Sequence, residues 1–274
     1  MILQKERIVF VSIFEAIFLG MVQGLTEFLP VSSSGHLVIS QYFLGVKEPG
    51  VTFEVLVHFG TLFSVIWVFW KDITNLFLGF SRQMQQRKLM ALLAISIIPT
   101  GLMGVFLGPF FKGLYENVTA VGFMLLVTGL ILWLIERLPV GTKNIKKMGV
   151  SDALLISLAQ GFAIIPGISR SGSTITAALA RNLDMETAVR FSFLMSLPVI
   201  FGATIMEARD IFSAGSEHIY IIPYAIATVT AFFAGIVAIK TFIKLLKARK
   251  FRYFSYYCWF MGTLVIIISL TGYF

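Results

Sequence analysis

Apolar residues run along this chain in long blocks rather than in alternation. Blocks at 53–70, 88–108, 117–136, 187–206, 220–243 and 253–272 each approach the roughly 20 residues a helix needs to cross a bilayer, and predict six transmembrane helices. Two further apolar regions are broken. The first, 8–45, is interrupted from Pro30 to Gly35, and the second, 150–182, from Pro166 to Gly172. A Pro, Gly and Ser break frees backbone N–H and C=O groups, which are tolerated at membrane depth only against protein or a water-filled cavity. Each broken region therefore predicts a re-entrant helical hairpin. The run from Ile8 to Leu29 follows Lys5 and Arg7 in the manner of a signal sequence, but it has no small-residue cleavage site and leads into the first break. It is read as part of the mature chain.

Composition sharpens this picture. Of 274 residues, 57% are hydrophobic and 13% charged, with a mean hydropathy of +0.88, which excludes an ordinary soluble domain. A lone cysteine, Cys258, excludes an intramolecular disulfide, and with only three histidines a thiolate or His-rich metal centre is not expected. The net charge of +8 is not a nucleic-acid signal, because it gathers in three connections. Lys71, Arg82, Arg87 and Lys88 share one, Arg137, Lys143, Lys146 and Lys147 a second, and Lys244, Lys247, Arg249, Lys250 and Arg252 a third. The positive-inside rule makes these connections cytoplasmic. The segment 207–218, with Glu207, Asp210 and Glu217 against Arg209, fits the opposite side, whereas Lys5 and Arg7 run against the pattern.

The two breaks resemble each other. A shift of 137 residues superposes Gln23 on Gln160, Gly24 on Gly161, Ser32 on Ser169, Ser34 on Ser171 and Gly35 on Gly172. Each half then reads as one hairpin followed by three spans, and an odd number of crossings turns the second half over, an inverted-topology plan known from transporters. The expected fold is all-α: a polytopic membrane protein forming a single domain over 1–274, with internal repeats at about 8–137 and 150–272. The first hairpin enters from outside and the second from inside, so that their tips meet near the midplane.

The tips carry the chemistry. Gln23 and Glu27, four residues apart, share a helix face. Ser32, Ser33, Ser34 and His36 follow the first turn, and "PGISRSGST" (166–174) supplies Ser169, Arg170, Ser171, Ser173 and Thr174. A Ser/Gly turn opening a helix offers free N–H groups and the positive dipole end to an anion. Arg170 adds a fork suited to phosphate, and a hydroxyl beside a carboxylate or imidazole can become a nucleophile. The reading is a phosphate site open to lipid. Glu54 and His58 share a face of the first full span and are expected to make a structural polar contact; the Met and Phe stripes are packing.

The stretch "QGLTEFLPVSSSGH" (23–36) resembles the (E/Q)xxxE plus serine-rich signature of the undecaprenyl-diphosphate phosphatases, the bacitracin-resistance family. "PGISRSGST" resembles their PGxSRSxxT motif, and "TFEVLVHFGT" (52–61) is similar to a third family stretch. The resemblance covers essentially the whole chain. It implies a phosphoric anhydride hydrolase that converts undecaprenyl diphosphate to undecaprenyl phosphate and inorganic phosphate, recycling the lipid carrier for cell-wall synthesis, in the plasma (inner) membrane of a bacterium with its site open to the extracytoplasmic side. Carried over by motif, Glu27, Ser33, Arg170 and His36 form the catalytic group, and Gln23, Ser32, Ser34, Ser169, Ser171, Ser173 and Thr174 surround the substrate. No organic cofactor is implied. Mg²⁺ or Ca²⁺ is an open expectation with Glu27 as its ligand, although Gln23 at the family's first acidic position weakens a two-carboxylate metal site. The expected partners are the polyprenyl diphosphate and membrane lipids, not nucleic acid, and a homodimer is left open. From another class, a transporter or flippase of a polyprenyl phosphate or other anion is the alternative.

Overall fold

The structure, a computed structural model, describes residues 11–46, 51–115, 117–139, 141–214, 221–247 and 250–272. Lys5, Arg7, Glu217 and Arg249 lie outside the described residues, as do the side chains of Glu207, Arg209, Asp210 and Lys247. The described elements are helices: α1 (Ile13–Phe28), α2 (Ser33–Leu44), α3 (Val51–Val68), α4 (Trp70–Gly79), α5 (Met84–Tyr115), α6 (Val118–Ile135), α7 (Val150–Phe162), α8 (Arg170–Ala180), α9 (Met185–Ala214), α10 (Ile221–Lys247) and α11 (Phe251–Leu270). The chain is a multi-pass membrane protein. Among the described residues five helices are long and apolar enough to span, and α3 with α4 makes a sixth candidate bent by 68°.

That bend corrects two sequence expectations. The span expected over 53–70 stops at Val68, and the connection expected at 71–88 contains a helix. Phe69 leaves helical geometry (φ −98°, ψ 19°), and past it the chain carries Lys71 and Asp72. Asp72 pairs with Arg190 of α9 at 2.7 Å, which anchors the redirected helix. The expected 88–108 span is also longer: α5 runs 32 residues through Pro99 and Pro109.

The two hairpins form where the breaks predicted them. Their arms, α1, α2, α7 and α8, have 16, 12, 13 and 11 residues, so at 1.5 Å per residue none exceeds about 24 Å and none alone covers the roughly 30 Å hydrocarbon core. Packing between helices is paired. α1 lies along α10 as α7 lies along α5, α3 packs on both α10 and α9, and α6 packs on α11. Small residues permit the close approaches. A Cβ at Gly20 would stand 2.5 Å from the Ala227 carbonyl oxygen, and one at Gly24 2.5 Å from that of Ala231.

At the base of the second hairpin a polar clamp replaces apolar contact. Buried Asp152 accepts from the Gly149 N–H (2.9 Å), from Arg181 Nε (2.8 Å) and from Lys143 Nζ (3.2 Å). Burial pushes its carboxyl up, but these donors outweigh burial and hold it below the usual carboxylate range. Lys143, a charge assigned to topology in the sequence, thus also fixes the hairpin.

Candidate active site

The first tip begins on α1, where a capping box between Ser12 and Glu15 sets the helix start. Gln23 and Glu27 fall one turn apart, and Gln23 Nε2 donates to Glu27 Oε2 at 3.0 Å. After Leu29, Pro30 and Val31 the chain reverses at Ser32, whose φ of 69° is a region that costs a non-glycine residue about 1–3 kcal/mol. The strain is compensated locally. Ser32 Oγ caps α2 by accepting the Gly35 N–H at 3.4 Å, and its carbonyl oxygen accepts the His36 N–H at 3.2 Å.

The second tip repeats these bonds 137 residues on. Ser169 Oγ caps α8 by accepting the Gly172 N–H at 3.2 Å, its carbonyl accepts the Ser173 N–H at 2.9 Å, and the Ser169 and Ser171 hydroxyls pair at 3.3 Å as those of Ser32 and Ser34 do. Gly167, at φ 94°, makes the turn that a side chain would strain. Thr128 of α6 pins this turn, donating to the Gly167 carbonyl at 2.7 Å and accepting the Ser169 N–H at 3.1 Å.

The tips touch one another reciprocally. A Cβ on Gly35 would lie 3.3 Å from Gly167 Cα, and one on Gly172 would lie 3.3 Å from Pro30 Cβ. Under the 137-residue shift Pro30 becomes Gly167 and Gly35 becomes Gly172, so the two contacts are the same contact made twice. Ser171 Oγ also donates across to the Leu29 carbonyl at 3.3 Å.

Around Glu27 the tips assemble one constellation. Ser33 Oγ donates to Oε2 at 2.6 Å and Arg170 Nη2 to Oε1 at 2.8 Å, while Arg170 Nη1 is buried with no partner among the described residues. Glu27 is 8% exposed, and a buried carboxylate of this kind needs its cation. His58 completes the ring: its Nε2 stands 3.9 Å from Glu27 Oε2. Its Nδ1 lies 2.8 Å from the Glu54 carbonyl, an acceptor only, so Nδ1 carries the proton and Nε2 presents its lone pair in the neutral ring. A cavity of about 170 Å³ opens here, lined by Glu27, Ser32, Ser33, Ser34, Ser169 and Arg170 together with Thr26, His58, Tyr115, Gln160, Ser196 and Thr204 among apolar side chains. The N-termini of α2 and α8 both open at its edge, which suits an anion.

Not every residue singled out in the sequence lies on the cavity. Gln23 is wholly buried behind Glu27. Thr174 holds α8 to α9, 2.6 Å from Ser192 Oγ, and Ser171 and Ser173 sit within the first turn of α8. His36, placed with the catalytic group, is turned elsewhere. Its Nδ1 lies 2.8 Å from the Ser32 carbonyl, its Nε2 2.7 Å from Tyr257 Oη, and its ring stacks on Tyr257 of α11, so both nitrogens are engaged away from the cavity. Of the pair read as a structural contact, Glu54 does serve one, with Gln41 Nε2 at 3.5 Å, whereas His58 belongs to the site. The signal for His58 was its helical spacing from Glu54 on a span that has to pack beside the hairpins.

A metal would find little prepared for it: among the described residues no three His, Cys, Asp or Glu side chains converge, and the one carboxylate is already met by Arg170, Ser33 and Gln23.

Residues 16–264 match the family described as bacitracin resistance protein BacA. The undecaprenyl-diphosphatase of Halothermothrix orenii is 46% identical over 258 residues, 94% of this chain and 98% of that protein. Those of Alkaliphilus metalliredigens and Desulforapulum autotrophicum are 44% and 40% identical, over 94% and 95% of this chain and 98% and 100% of their own lengths.

Proposed function

The chain belongs to the bacitracin resistance protein BacA family, and from that premise and the carboxylate shared by its two hairpin tips we infer an undecaprenyl-diphosphatase that works through Ser33, Glu27 and Arg170. It hydrolyses undecaprenyl diphosphate to undecaprenyl phosphate and inorganic phosphate. The observation that carries the mechanism is the 2.6 Å hydrogen bond from Ser33 to Glu27, with Arg170 gripping the opposite oxygen.

In this mechanism the unpartnered Nη1 of Arg170 and the N–H groups opening α2 and α8 hold the diphosphate. Ser33 Oγ attacks the terminal phosphorus and passes its proton to Glu27 Oε2. The bond from that phosphorus to the bridging oxygen breaks, and undecaprenyl phosphate leaves with the electron pair. Water then cleaves the phosphoserine, releasing phosphate and restoring the Ser33 hydroxyl, with Glu27 moving the protons. Glu27 is the one cavity carboxylate that would meet Mg²⁺ or Ca²⁺, which would offset phosphate charge, and the steps above are carried by Ser33, Glu27 and Arg170.

The inverted-topology arrangement belongs to the same proposal. It is supported by the doubled tip contacts, by the duplicated cap bonds and by helix pairings that interchange between the halves. The proposal sets the first hairpin on the extracytoplasmic face of the plasma membrane with the site opening there, which the basic connections support through the positive-inside rule. A transporter or flippase is not favoured, since passage alone does not call for a hydroxyl held on a buried carboxylate. Phosphate release from undecaprenyl diphosphate by the purified protein in detergent, where no two sides exist, tests the reading. Binding without release would count for transport.

A further inference from the structure

Gln160 occupies in the second hairpin the place that Gln23 occupies in the first, 137 residues earlier. Gln23 gives its amide proton to Glu27, one turn further along α1. One turn beyond Gln160 stands Ile164, so the carboxylate has no counterpart there. Yet Gln160 is only 2% exposed, lines the cavity, and its Oε1 has no partner among the described residues. Its Nε2 reaches only Thr100 Oγ1, at 3.4 Å. The surrounding bonds keep it in place: Thr100 Oγ1 donates to the Ser157 carbonyl at 3.0 Å, and Ser157 donates in turn to the Ser96 carbonyl, a polar ladder through the contact of α5 with α7. An amide kept so deep with spare hydrogen-bonding capacity is costly unless something else uses it.

We propose that Gln160 is a substrate-binding residue whose amide donates to a phosphate oxygen of the bound prenyl diphosphate, so that the substrate supplies in the second repeat the anion that Glu27 supplies in the first. Nε2 has a second proton beyond the one directed at Thr100. A half-turn of the amide frees both N–H bonds toward the cavity, the Thr100 hydroxyl then turning its one proton from the Ser157 carbonyl to Oε1. Gln160 and Arg170, which both line the cavity, would then hold the diphosphate together, leaving Ser33 and Glu27 free to act on the terminal phosphorus.

This inference rests on the diphosphatase reading, and the test separates the two. Phosphate release from undecaprenyl diphosphate is measured for the wild type, Gln160→Met and Gln160→Glu in detergent, together with equilibrium binding of methylenediphosphonate, which cannot be hydrolysed, and thermal midpoints. Gln160→Met keeps the side chain's reach without a donor. KM is expected to rise about tenfold with kcat within about threefold, and methylenediphosphonate affinity to fall by a similar factor. Gln160→Glu sets a carboxylate against the phosphates and should bind more weakly still. If Gln160→Met does not fold, Gln160→Glu carries the binding measurement. Wild-type KM and methylenediphosphonate affinity in a folded variant would overturn the role of Gln160 while leaving the diphosphatase intact. Loss of kcat and thermal midpoint with unchanged methylenediphosphonate affinity would overturn it as well, because that is what a structural amide does. A wild-type protein that releases no phosphate would remove both the reading and the inference built on it.

Discussion

Ser33 and Arg170 are equivalent positions of the two hairpins, 137 residues apart, and they hold the two oxygens of one carboxylate: Ser33 Oγ on Glu27 Oε2 at 2.6 Å and Arg170 Nη2 on Oε1 at 2.8 Å. The position equivalent to Glu27 is Ile164. In the proposed duplication a single acid therefore serves both tips, with the proposed nucleophile, Ser33, on one and the cation, Arg170, on the other.

Arg170 is expected to act through its forked geometry as well as its charge. Nη2 neutralises Glu27 while Nη1 remains for the substrate, and lysine cannot do both from one ammonium. Arg170→Lys should therefore lower kcat/KM for phosphate release by about tenfold or more, or about 1.4 kcal/mol. Near wild-type turnover would remove Arg170 from the phosphate clamp.

His58 faces Glu27 at 3.9 Å, beyond hydrogen-bond range, whereas Ser33 touches Glu27 directly. His58 should then hold a water molecule beside Glu27 by accepting its hydrogen bond, without accepting the serine proton. His58→Gln is expected to keep turnover within about tenfold of wild type, and Glu27→Gln to lose far more. A loss of about a hundredfold or more in His58→Gln, the range of a general acid or base, would make His58 the proton acceptor instead.

Gly167 should be intolerant of any side chain. Its φ is 94°, and a Cβ there would stand 2.6 Å from Met124 Cβ and 2.7 Å from the Val121 carbonyl. Backbone strain and overpacking together predict a loss of about 2–4 kcal/mol for Gly167→Ala, read as a fall in thermal midpoint in detergent. Gly45→Ala is the contrasting case: its φ is also positive, at 66°, but nothing lies within 4 Å of its Cβ, so it should cost about 1–2 kcal/mol.

Asp152 should stabilise the second hairpin in a pH-dependent way. Because its carboxyl is held below the usual range, its contribution is fully present above the ordinary carboxylate pKa of about 4 and is lost as pH falls through the folded value. Asp152→Asn should cost about 1.5–3 kcal/mol at neutral pH, and the difference from wild type should shrink in acid. A pH-independent difference in thermal midpoint would contradict this.

Much of this arrangement was legible in the sequence because membranes restrict what a chain can do. Apolar length gave five of the six spans, and the paired Pro, Gly and Ser breaks gave both hairpins together with the positions of Glu27, Ser33 and Arg170 at their tips. Other features depend on tertiary contact and leave no local mark. Phe69 bends α3 away from α4 inside a stretch that reads as continuous. His36 has the composition of a catalytic base, but Tyr257, 221 residues away, takes its Nε2. His58 reads as a structural partner of Glu54, and Gln160 as the counterpart of Gln23, until α3 and α7 are placed around the tips, where both line the cavity.

The central claim is that Ser33 is the nucleophile and Glu27 its proton acceptor, and single-turnover phosphate release measured beside substrate binding tests it most directly. A nucleophile takes part only in the chemical step, so Ser33→Ala should bind undecaprenyl diphosphate with near wild-type affinity and release almost no phosphate. Glu27→Gln should behave alike, because its amide cannot accept the proton, while wild type should yield a phosphoserine at Ser33 on rapid quenching. Substantial phosphate release by Ser33→Ala, with no phosphoserine in the wild type, would contradict the account and give the attack to water.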